Sequence, residues 1–377
     1  MDIFLLTVSA VLIVLGSYLA SSVAEALQFQ YNDAFIAGFI ALLQTLPEYA
    51  FVILLTLSAE QYAYEYALVS IIGANIMLIA LGFPVIMLIA ILAKCRGVWE
   101  DKALDLMREN SLEAVFLALS GAYMVFIGLK GYIDAIDSVV LLGMFIVYIY
   151  IITHLPPEVE TEEPHRLARF FMNRKKLSFA AIIIGALVIW YAAEVFTEGI
   201  LEYAKNFVLS GIVLAGILMP LVSELPEKLT AYIGATRNED MARLGVTNFI
   251  SSRINNGTLL IASMFLTAFI AHGATQVVVN TPDFPFLGRL MVMAGILSIL
   301  GAFTTVDRRI TVVESILLFA LYVGLILALL DPKYLVYMDI LMVLLAIAIL
   351  FDAIITKRMY WIGDIKYTLS LLRRAKK

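Results

Sequence analysis

A run of about 20 apolar residues can cross the hydrocarbon core of a bilayer as a helix, and this chain carries such runs from end to end. Eleven fall near residues 3–27, 32–58, 65–93, 111–129, 133–153, 177–201, 207–236, 244–271, 286–305, 311–330 and 334–355. Lipid offers no hydrogen-bond partners, so each run must satisfy its backbone internally, as a helix does. Composition agrees: 62% of the 377 residues are hydrophobic and 15% are charged, against about 25% charged in soluble domains. The expected fold is an all-α membrane protein of about 11 transmembrane helices. The first run has no basic flank or small-residue cleavage site, so it reads as a span and not as a signal peptide.

The basic residues orient these spans. With loops assigned alternately to two sides, one side holds twenty Lys and Arg: Lys94 to Arg108, Arg166 to Lys176, Arg237 and Arg243, Arg308 and Arg309, and the tail. The other side holds Lys130, Lys205, Arg289 and Lys333. The positive-inside rule places the crowded side in the cytoplasm, with the N-terminus outside and the C-terminus inside. Short loops and the lack of an organelle signal point to a prokaryotic plasma membrane. The connection at 154–176 is polar and reads as a cytoplasmic linker, either simply solvated or regulatory. The basic run Lys366–Lys377 is expected to rest on the anionic leaflet. Cys95 is the single cysteine, and His154, His165 and His272 are scattered. One cysteine excludes an internal disulfide, and the scattered histidines argue against a soft-metal site.

The halves repeat. Gln44-Thr45-Leu46-Pro47-Glu48 matches Ser223-Glu224-Leu225-Pro226-Glu227. Ile72-Gly73-Ala74-Asn75 matches Ile250-Ser251-Ser252-Arg253, and the stretch at 133–142 matches 310–319. All three pairs are separated by about 178 residues. Each unit holds five spans, an odd number, so the second enters from the opposite side. Such inverted repeats place a substrate site at their interface near the midplane. The units are expected at 1–153 and 177–330, with 331–377 forming an extra span and a basic tail.

A carboxylate in the bilayer core costs several kcal/mol, yet Glu48 and Glu227 both sit mid-span after Leu-Pro. Proline removes a backbone donor and frees a carbonyl one turn earlier. Gln44 and Thr45 share a helix face with Glu48, as Ser223 and Glu224 do with Glu227. Two such segments meeting antiparallel would supply carboxylates, hydroxyls and carbonyls, an all-oxygen set suited to Ca²⁺ or Na⁺. The small residues Gly73, Ala74, Ser251 and Ser252 allow close helix approach. A plain structural role remains the alternative for an isolated intramembrane Glu. Asp134, Asp137 and Glu314 read as helix caps, and Asp339 and Asp352 as structural.

The paired motifs resemble the α-repeats of the Ca²⁺/cation antiporter superfamily, which includes Na⁺/Ca²⁺ and H⁺/Ca²⁺ exchangers. The resemblance rests on Thr45-Leu46-Pro47-Glu48 with Gly73-Ala74-Asn75, and on Leu225-Pro226-Glu227 with Ser251-Ser252; it spans roughly residues 5–330. It implies secondary antiport by alternating access, with Glu48, Glu227, Thr45, Ser223, Asn75, Glu224, Ser252 and Asn256 binding the cation, and Ser70 and Asn248 as further positions. It implies no cofactor: Ca²⁺ and Na⁺ or H⁺ are substrates, and the partners are inorganic cations and the bilayer, with no nucleic acid or partner protein.

The departures from that pattern are Gln44 for a hydroxyl, Glu224 for Ser, Arg253 for Asn, and Lys228 after Glu227. Glu224 and Lys228 stand i,i+4 with Glu first, the favourable order for a pair. Arg253 would neutralise Glu227, stand as a tethered counter-charge, or snorkel to water. Exchange of another cation and a non-transporting relative therefore stay open beside Ca²⁺ exchange. A membrane protease finds no His-Glu-x-x-His motif here, and no phosphate-binding loop supports an ATP-driven pump.

Overall fold

The computed structural model describes residues 3–30, 45–58, 60, 62–106, 111–152, 166–206, 208–306 and 308–356, with isolated positions of the tail. Gln44 lies outside the described residues. The principal helices are α1 (Ile3–Gln30), α2 (Leu46–Ser58), α3 (Ala63–Leu92), α4 (Ser111–Lys130), α5 (Ala135–Ile152) and α6 (Lys175–Asn206). Then follow α7 (208–235), α8 (Glu239–His272), α9 (Leu287–Val306), α10 (Val312–Leu330) and α11 (Leu335–Thr356). Among the described residues, eight helices are long and apolar enough to cross a membrane; Phe4–Ala20, Leu46–Ser58 and Gly211–Leu225 are shorter apolar segments.

The two halves wrap around each other. The equivalent helices α4 and α9 pack along their lengths, as do α1 and α6. Among the described residues, four short strands extend this exchange: β1 (Ala103–Asp105), β2 (Tyr132–Asp134), β3 (Gln276–Val278) and β4 (Arg309–Thr311). β1 pairs antiparallel with β4, and β2 with β3, so each ribbon takes one strand from each half. Both α5 and α10 start with a reciprocal cap, as the sequence suggests. Asp134 and Asp137 exchange backbone-to-carboxylate bonds of 2.8 and 3.1 Å, while Thr311 and Glu314 form a capping box. The Lys130 ammonium, hydrogen-bonded to Asp134, holds that carboxyl below its ordinary range.

Among the described residues, three wide π-helical turns interrupt the central helices: Leu78–Gly82 in α3, Leu214–Leu218 in α7 and Asn256–Leu260 in α8. The first and third are repeat-equivalent. The first two each lie just ahead of a proline, Pro84 and Pro220, whose missing amide hydrogen and ring disrupt the preceding turn. Beside Asn75, α3 crosses the π turn of α7 glycine against glycine. A Cβ on Gly73 would lie 1.9 Å from the Gly216 carbonyl oxygen. That contact is with backbone, which cannot rotate away. Gly73→Ala is expected to lower stability by about 3 kcal/mol through overpacking, read as a lower melting temperature of the purified protein.

Burial separates centre from periphery. The apolar window of α9 is 72% buried and that of α11 only 22%, so α11 is an outer helix. It packs on α9 and α10 and is tied to α9 by an Arg289–Asp339 ion pair. The 154–176 connection is not simply solvated in its described part. Residues Arg166–Phe171 form a short helix, and Ala168 and Phe171 bury against Val23 and Ala26 of α1 and Ala181 and Ile182 of α6.

Candidate functional site

The repeated Leu-Pro-Glu segments fall on two helices held in different ways. In the first half, α2 begins at Leu46, so Pro47 and Glu48 occupy its opening turn, where proline costs no helical bond and the amide dipoles favour a negative charge. In the second half, Pro226 lies within the Met219–Ala235 helix. There it withholds the i+4 donor from the Val222 carbonyl.

The two carboxylates differ in exposure, Glu227 being half-buried. Glu48 is buried, within electrostatic range of Glu224, Glu227 and Lys228. Glu227 accepts a 2.5 Å hydrogen bond from the Ser252 hydroxyl, which joins α7 to α8. Asn255 links α2 to α8 around Glu48: its amide nitrogen donates to Thr45 Oγ1 at 3.0 Å, and its carbonyl oxygen accepts from the Tyr49 hydroxyl at 2.8 Å. Asn256 donates to Glu224 Oε1 at 3.3 Å. Thus Thr45, Glu48, Glu224, Glu227, Ser252 and Asn256 are brought into one polar region formed by α2, α7 and α8.

Two expected ligands make other bonds. Ser223, buried, donates to the Pro220 carbonyl of its own helix at 3.4 Å. Asn75, fully buried, points its amide nitrogen toward Met124 Sδ at 4.0 Å. Ser70 is also buried. Asn255 and Tyr49 were not singled out in the sequence, although each is the neighbour of a motif residue. Met124 carried no signal at all.

The two cations do not snorkel. Lys228 and Arg253 are 1% and 0% exposed. Lys228 pairs with Glu224 on the same helix face, as their spacing suggests. Arg253 does not neutralise Glu227, whose bond goes to Ser252. Its guanidinium donates to the Ala294 carbonyl at 3.1 Å and meets Met124 Sδ at 3.2 Å. Three carboxylates and two cations leave this region one net negative charge.

Its chemistry suits a hard cation. Glu48 Oε2, Asn75 Oδ1 and Asn256 Oδ1 are buried oxygens with no hydrogen-bond partner. An unpaired buried acceptor is costly, and a cation can satisfy it. Among the described residues, no group of three or more His, Cys, Asp or Glu side chains is placed to hold a metal ion. A cation here would therefore draw on amide, hydroxyl and backbone oxygens beside its carboxylates, as Ca²⁺ and Na⁺ do and softer metals do not.

The fold is similar to that of several solved structures. The H⁺/Ca²⁺ exchanger CAX superposes with a TM-score of 0.82 at 23% identity, covering 99% of this chain and 91% of that one. The sodium-calcium exchanger NCX_Mj gives 0.52 at 23% identity, covering 87% and 97%. Native YfkE gives 0.60 at 15% identity, covering 88% and 92%. Comparison with the curated proteins finds no match. The profile described as sodium/calcium exchanger protein matches residues 1–154 and 177–330, most of the chain on either side of the central connection, and the protein belongs to that family of membrane transporters.

Proposed function

We propose that the chain is a secondary cation antiporter that exchanges Ca²⁺ for Na⁺ or H⁺ by alternating access, with the cation held between the repeats by Glu48 and Glu227. The observation that carries this reading is the convergence of two repeat-equivalent carboxylates where α2, α7 and α8 meet, Glu48 buried with an unpaired oxygen and Glu227 half-buried. Thr45, Ser252 and Asn256 would complete the oxygen set, with Asn75 and Ser223 turning inward on ion binding. CAX is an H⁺/Ca²⁺ exchanger and NCX_Mj a sodium-calcium exchanger, which supports the substrate class. The basic loops support a cytoplasmic C-terminus and an external N-terminus. Residues 1–153 and 177–330 would act as the two inverted units.

The test is Ca²⁺ uptake into proteoliposomes under an outward Na⁺ gradient or an imposed pH gradient. Uptake under one gradient and not the other names the coupling ion. Failure under both, with folded protein, refutes the reading. Ser252→Ala removes a hydrogen bond to a charged acceptor, an interaction of about 1.5–3 kcal/mol, and leaves Glu227 poorly oriented. The half-saturating Ca²⁺ concentration should rise by about tenfold or more, measured as the Ca²⁺ dependence of initial uptake.

A further inference from the structure

Arg253 is the least expected group in the molecule. It is fully buried, and a guanidinium keeps its charge where an ammonium or imidazole would lose it. Burying a charge without a partner costs several kcal/mol, and partners are few here. Nε and NH1 have no hydrogen-bond partner, and NH2 has a carbonyl and a sulfur. Among the described residues, no carboxylate forms an ion pair with it. Glu224 lies within electrostatic range but already holds Lys228 and Asn256.

Its position is as informative as its isolation. Arg253 is the repeat-equivalent of Asn75, and both side chains reach Met124 Sδ, at 3.2 and 4.0 Å. The guanidinium therefore lies where the two halves meet. The sequence makes room for it: a Cβ on Gly257, one turn further along α8, would come within 2.5 Å of Arg253 NH1. Of the three carboxylates in the polar region, Glu224 is the one within electrostatic range of Arg253.

We propose that the Arg253 guanidinium is a resident cation of the central site, standing in for one transported monovalent cation, so that each cycle couples one such ion fewer than a site with a neutral side chain there. This rests on the exchange reading for its kinetic consequence but not for its electrostatic one. A fixed positive charge within electrostatic range of Glu224 must weaken cation binding in this region whether or not the protein transports.

The experiment compares wild type with Arg253→Asn, Arg253→Met and Arg253→Lys, each checked for a cooperative melt. Equilibrium ⁴⁵Ca²⁺ binding to the purified full chain should tighten by about tenfold or more in the Asn and Met variants, from Coulomb's law over a few ångströms to a nanometre of protein. The Lys variant should stay near wild type. In voltage-clamped proteoliposomes, the reversal voltage should report one elementary charge more or fewer per Ca²⁺ in the neutral variants than in wild type, with Lys restoring the wild-type value. Unchanged Ca²⁺ affinity in both neutral variants overturns the proposal, as does an unchanged reversal voltage with flux intact. Tightened binding without flux in any variant upholds the resident charge and refutes exchange, which separates the two failures.

Discussion

Glu48→Gln is expected to abolish Ca²⁺ flux while the protein still folds. The substitution keeps shape and volume and removes only the charge. Folding should tolerate this, because the carboxylate is buried with an unpaired oxygen and contributes desolvation cost rather than a structural ion pair. Transport should not tolerate it. Glu48 and Glu227 are the two carboxylates not matched by Lys228, and losing one leaves the region with no net negative charge to hold a divalent ion. Initial uptake in proteoliposomes should fall at least about a hundredfold, since a lost charge contact to a desolvated ion is worth several kcal/mol. Flux within about threefold of wild type, at equal reconstituted protein, would remove Glu48 from the ion path, an RT-scale change being too small for a lost ligand.

Lys228→Met should act on the opposite quantity, stability. The Lys228–Glu224 pair is almost wholly removed from solvent, at 2% and 1% side-chain exposure. Methionine fills much of the lysine volume, so packing changes little. What it leaves is a buried carboxylate held by Asn256 alone at hydrogen-bonding distance. Breaking one half of a buried ion pair costs about 3–5 kcal/mol, whereas replacing both halves with apolar groups is often neutral. The single variant should melt well below wild type, and Glu224→Leu combined with Lys228→Met should recover most of the loss. Equal melting of the single variant and wild type would mean that Glu224 takes another partner, Arg253 being within range.

How much of this could be read in the chain depended on range. The apolar runs marked the helices because lipid makes hydrophobic length the governing variable. The internal repeat was visible because the motifs at Glu48 and Glu227 recur at a fixed separation. Local pairs were equally legible: the Glu224–Lys228 pair and the caps at Asp134 and Thr311 join residues within one helical turn. Contacts between the halves were not. The bond from Asn255 to Thr45 bridges residues 210 positions apart, and the strand pairing of Ala103–Asp105 with Arg309–Thr311 depends on the halves being wound together. Arg253 shows the limit most clearly. Its type announced a conflict with a cation site, but only the structure shows that it turns to Ala294 and Met124 and leaves Glu227 to Ser252.

An antiporter couples its ions: movement of Ca²⁺ in one direction is obliged to carry another cation in the other. The most direct measurement is accumulation. Proteoliposomes holding the full chain are given a Na⁺ or proton gradient with equal Ca²⁺ on both sides, and internal Ca²⁺ is followed before and after an ionophore dissipates that gradient. Under coupled exchange, Ca²⁺ rises above the external concentration and drains when the gradient collapses. Ca²⁺ that never exceeds the external level, or that crosses at the same rate with no gradient imposed, would rule coupled exchange out.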